Sequence, residues 1–118
     1  MLATDTPISI LRRVIAKVEA SHWTTGNFRR TLHGKVHGCL IGLVNMECGH
    51  QPHDIRGLEG GATARAQLFQ EISKTILKQS SEKDPINRVT RFNDSSTRKA
   101  VLKVLNNTEN RLKARSSS

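Results

Sequence analysis

The chain has 118 residues, a net charge of +9 and only 36% apolar residues. That length suits one domain with one core. No stretch approaches the roughly 18 uninterrupted apolar residues of a membrane span, and two cysteines are too few for a disulfide scaffold.

The core must be aliphatic, since eight Ile, eleven Leu and seven Val stand against three Phe, one Trp and no Tyr. The opening MLATDTP lacks the basic-then-apolar build of a secretion signal. The expectation is a cytoplasmic protein with reduced thiols and no membrane partner. The charge is uneven: residues 1–60 carry seven Lys/Arg against five Asp/Glu, residues 61–118 twelve against five. A basic half attracts polyanions, whether acidic protein surfaces or nucleic acid.

In chain order, Thr6 can cap a helix whose first turn tolerates Pro7, because the missing N–H has no intrahelical partner there. Leu11, Val14, Ile15 and Val18 fall at i, i+3, i+4 and i+7, which predicts an amphipathic helix over 7–21. Ile10 sits at the edge of that stripe. Gly26, Gly34 and Gly38 then break any helical run, leaving a loop with a short extended pair around Thr31 to Val36, anchored by Trp23 and Phe28. The run CLIGLVNMEC is apolar nearly all round and predicts a buried central helix that Gly49 ends.

A third helix is expected over 62–79, with Leu68, Phe69, Ile72, Ile76 and Leu77 facing inward and Gln67, Gln70, Glu71 and Lys74 outward. Asp84-Pro85 marks a turn. Ile86, Val89 and Phe92, three apart, predict one short helical turn. Asp94 or Ser96 caps a last helix reaching about Lys113. The expected architecture is all-α: a compact domain of about four helices over 1–115 with long irregular connections, and a disordered tail at 116–118.

His33, His37, His50 and His53 cluster around Cys39 and Cys48 and are the candidate zinc ligands. Four ligands must converge on one point. A helix between the thiols puts them on opposite faces, about 13 Å apart along the axis. No metal or other cofactor is expected, and a small zinc-binding protein stays as an alternative. A Cys–His nucleophile is conceivable in type, but a buried Cys39 disfavours its thiolate, so no enzyme is expected.

The last helix carries the strongest candidate surface. Lys99, Lys103, Asn106, Asn110 and Lys113 share the face opposite Val101, Val104, Leu105 and Leu112; Arg88, Arg91 and Arg98 precede or flank it. These eight polar residues are the candidate binding set. Lys and Asn on one face suit phosphates and base edges, yet no helix-turn-helix spacing, RNA-binding sheet motif or zinc-finger pattern is present. The expected function is a non-catalytic basic binding protein for an acidic protein partner, with nucleic-acid binding as the alternative.

The pieces Trp23, Thr24, Gly26, Phe28; Cys39, Gly42, Leu43; and Phe92, Asn93, Asp94, Thr97, Val101, Leu102 resemble a family of small actinobacterial and actinobacteriophage proteins of unknown function. The family pattern has Trp where this chain has Phe92. The resemblance implies no activity or cofactor. It implies a bacterial or phage setting in which a protein acting on a host component is plausible. Read physically, its motifs are structural: Trp23 plugs the core, Gly42 permits close helix approach, and Asn93-Asp94 leads into the last helix.

Overall fold

A computed structural model describes residues 6–25, 30–32, 35–58, 62–77 and 82–117. Among the described residues there are five helices: α1 Pro7–Glu19, α2 Leu40–Glu47, α3 Ala64–Leu77, α4 Pro85–Ser95 and α5 Arg98–Ser117. The extended pair is a hairpin of three-residue strands, β1 Arg30–Leu32 and β2 Lys35–His37, antiparallel with Thr31 opposite Val36. The all-α class holds, with five helices rather than about four.

The extra helix is α4. Ile86, Val89 and Phe92 belong to three turns, not one. Asp84 caps them through its side chain, accepting from the Ile86 and Asn87 amides, and Pro85 follows at the first position. Thr6-Pro7 starts α1 with the same device, completed by a reciprocal Thr6–Ser9 capping box. Asp94 therefore lies inside α4. Thr97 caps α5 instead, its hydroxyl accepting from the Ala100 amide at 3.2 Å. At the far end α5 runs through Ser117, so Ser116 and Ser117 join the helix.

α3 is central, packing against α1, α2, α4 and α5, while α1 also lies along α2 and α5. Ile10, Leu11, Val14 and Val18 of α1, Leu40 and Leu43 of α2, Leu68, Phe69, Ile72 and Ile76 of α3, and Val101 and Leu105 of α5 meet in one core. Each such side chain contributes about 1.5–3 kcal/mol on burial. Ile10, expected at the edge of its stripe, is wholly buried.

The reading of α3 needs two corrections: Leu77, at the helix end, is 51% exposed, not inward, and Glu71 is 2% exposed, not outward. Arg111 of α5 reaches it at 3.2 Å and Lys74 at 3.8 Å. One turn on, the Thr75 and Thr108 hydroxyls meet at 3.0 Å. The α3–α5 seam thus carries polar bonds that fix its register.

α1 ends where Ser21 turns left-handed at φ 64°. α2 ends at Gly49, φ 75°, where the His50 amide bonds back to the Asn45 carbonyl at 2.9 Å. Between Gly49 and α3, the segment 50–58 is wired to the core. Buried Asn45 donates to the Pro52 and Asp54 carbonyls, both at 2.9 Å. Arg65, 4% exposed, donates to Asn45 Oδ1 at 2.8 Å, to the Arg56 carbonyl at 2.9 Å and to the Asp54 carbonyl. On the outer side, His50 and Arg56 hold the Asp54 carboxyl well below the usual carboxylate range.

Candidate binding surface

The two thiols cap the two ends of α2. Cys39 is its N-cap, with Sγ accepting from the Gly42 amide at 3.4 Å, and Cys48 is its C-cap; both are buried and neither is in a disulfide. They do not share a ligand site. His37 stacks edge-on against His22 with ring centroids 5.4 Å apart. His50 pairs with Asp54 at 3.2 Å, and His53 is exposed. His33 lies outside the described residues. Among the described residues no three His, Cys, Asp or Glu side chains come close enough to hold a metal ion.

Burial pushes the Cys39 thiol up from its ordinary value. Iodoacetamide at neutral pH is therefore expected to leave Cys39 unmodified in the folded protein and to alkylate it in urea, as read by peptide mass. Rapid native alkylation at Cys39 would contradict its placement.

The motifs of the family resemblance meet at one residue. Asn93 is 1% exposed. Its Oδ1 accepts from Trp23 Nε1 at 2.6 Å and from the Leu40 amide, beside Cys39, at 3.0 Å. Its Nδ2 donates to the Thr24 carbonyl and to Asp94 Oδ1, both at 3.1 Å. Asn93 does not guide the start of α5; it ties the segment after α1 to the start of α2 and to α4. Trp23 is half-buried against the core. All four polar positions of the Asn93 amide are matched, so this junction is structural.

The eight candidate binding residues divide. Arg88 is 7% exposed, and its guanidinium donates to the Glu82 and Lys83 carbonyls and to Ser73 Oγ. It holds the N-terminal end of α4 onto α3 and is not part of an outer face. Arg91 is exposed but pairs with Glu82 at 3.3 Å. Arg98 reaches back to the Glu19 carbonyl and Ser21 Oγ, tying α5 to the end of α1. Lys99, Lys103, Asn106, Asn110 and Lys113 are all exposed, and Asn107 joins their edge.

Most of the other described cations are occupied within the fold. Arg12 pairs with Glu109 at 2.9 Å, Arg13 with Glu47 at 3.1 Å and Arg56 with Asp54 at 3.1 Å. Lys74 and Arg111 share Glu71, and Lys113 reaches Glu109 at 3.9 Å. Among the described residues Lys17, Lys83, Lys99 and Lys103 have no such partner, and the last two sit one turn apart on one helix. Like charges at that spacing cost a helix about 0.2–0.5 kcal/mol. Asn106, Asn107 and Asn110 each cost up to roughly 0.7 kcal/mol against alanine in a helix interior. This face is poorly built for helix stability and well built to present donors.

Among the described residues no helix is long and apolar enough to cross a membrane. No curated protein and no solved structure matches the chain. The model of a family of unknown function (DUF6197) matches residues 2–111, a span that includes every motif position from Trp23 to Leu102.

Proposed function

We propose that this chain, which belongs to the family of unknown function DUF6197, is a non-catalytic binding protein that holds an acidic protein partner on the exposed face of α5. The observation that carries this reading is the acid-free stripe of Lys99, Lys103, Asn106, Asn110 and Lys113, with Lys99 and Lys103 unneutralised by the fold. The one acid of α5, Glu109, is held by Arg12 and Lys113. The reading places the protein in the cytoplasm, in keeping with two cysteines that form no disulfide, and in a bacterial or phage setting where the partner is a host macromolecule. A non-catalytic role agrees with a buried, high-pKa Cys39 and with acids largely engaged in pairs.

A second reading, nucleic acid, is favoured by one observation: three asparagines interleave with the lysines and have the donor–acceptor pattern that reads base edges. Titration of labelled polyglutamate and of a labelled DNA duplex at low and moderate salt separates the two. Duplex binding weakens steeply with salt, by about one counterion per phosphate contact.

The double variant Lys99→Glu/Lys103→Glu is expected to lower polyglutamate affinity at least about tenfold. It should leave the melting temperature unchanged or slightly higher. Glutamate in the first turn suits the helix dipole, and the Lys99–Lys103 repulsion is replaced by one at the same spacing. Unaltered affinity, or a variant that unfolds, contradicts the assignment.

A further inference from the structure

We propose that the partner element seated on α5 is an acidic amphipathic helix, with carboxylates toward Lys99, Lys103 and Lys113 and aliphatic side chains toward Leu102. The proposal rests on reading this face as a protein-binding surface and adds the partner's shape and second chemical character.

The spacing of the stripe comes first. Residues 99, 103, 106, 110 and 113 recur at alternating steps of four and three, an average of 3.5. That period makes a seam that stays nearly straight along a helix, the arrangement by which one helix lies along another. The seam runs about 21 Å from Lys99 to Lys113 at 1.5 Å per residue, enough for about four turns of a partner helix. α1 and α3 pack on other sides of α5, and the seam residues stay exposed.

The second observation is the apolar edge. A shallow depression of about 580 Å³ is lined by Thr97, Ala100 and Leu102 together with Lys99, Lys103 and Asn106. Leu102 is half-buried and keeps a part outside the core beside the lysine stripe, whereas Ala100, two positions away, lies on the stripe's other flank. An aliphatic side chain laid beside a lysine stem covers both that part and the stem's methylenes. A sugar–phosphate backbone uses the lysines but gains little from Leu102, and α5 has no aromatic ring on which a base could stack. Charge complementarity selects an acidic partner, and the apolar edge makes that partner amphipathic.

The test uses the full chain and fluorescence anisotropy with synthetic probes of about 18 residues, or five turns. One is a Glu/Leu amphipathic helix; a second replaces its leucines with serine at equal charge; a third is a DNA duplex. The leucine peptide is expected to bind about tenfold more tightly than the serine peptide. Leu102→Ser should reduce that ratio to less than about threefold. The peptide comparison on the unaltered protein stands even where Leu102→Ser weakens the fold. Equal binding of both peptides, lost in Lys99→Glu/Lys103→Glu, overturns the amphipathic partner and leaves the acidic-protein reading in place. Binding of the duplex with neither peptide bound overturns both.

Discussion

Asn93→Ala is expected to cost the fold about 3–5 kcal/mol, a large share of the roughly 5–15 kcal/mol that a domain usually has. The amide joins four groups: Trp23 Nε1, the Leu40 amide, the Thr24 carbonyl and Asp94 Oδ1. Truncation leaves the buried Leu40 N–H and Thr24 C=O without partners, each worth about 1–3 kcal/mol of lost solvation, and opens a void at a site 1% exposed. Urea unfolding should show a lower midpoint at unchanged slope. Trp23, the only tryptophan, reports the same event: its emission should shift to the red at the same lowered midpoint. Asn93→Asp keeps the acceptor and loses the donor, so it should fall between the two. A loss below about 1 kcal/mol for Asn93→Ala contradicts the junction.

The second large effect concerns Arg65. Arg65→Ala is expected to cost about 2–4 kcal/mol and to release residues 51–58. Its guanidinium joins Asn45 Oδ1 to the Arg56 and Asp54 carbonyls, while Asn45 Nδ2 donates to the Pro52 carbonyl and also to that of Asp54. Hydrogen exchange should speed up across 51–58 and change little in α5. Arg65→Lys should not restore protection, because one ammonium group cannot span three acceptors set in a planar fork. Unchanged exchange in this segment would show that Asn45 and Leu58 hold it without the arginine.

Much of the fold was legible in the sequence. Periodicity marked the inward faces of α1, α3 and α5, and Thr6-Pro7 and Gly49 marked ends. Asp84-Pro85 is the same start signal as Thr6-Pro7. It was read as a bare turn because α4 is short of apolar residues, and three of them at three-residue spacing satisfy a single turn as well as three. Arg65, Arg88 and Glu71 were hidden for another reason. Composition places Arg and Glu outside, and only the meeting of distant segments supplies the carbonyls and cations that let them go in. The same limit applies to Asn93: its motif is visible, but three of its four partners lie 53 to 70 residues away. The α5 face was readable because a helical wheel is local. Asn107 could have been added from its four-residue offset to Lys103, whereas the loss of Arg88 from the set depends on tertiary contacts.

The pairing of α1 with α5 has a consequence for biosynthesis. Arg12 bonds to Glu109 across 97 positions, and Arg98 reaches the Glu19 carbonyl across 79. A growing chain adds about 5–20 residues per second, so α1 leaves the ribosome several seconds before the helix that covers its flank. For that interval part of the surface around Leu11 and Val14 stays open to chaperones and to neighbouring nascent chains. Slow translation over the intervening codons would lengthen the exposure, and the yield of native protein should fall with it.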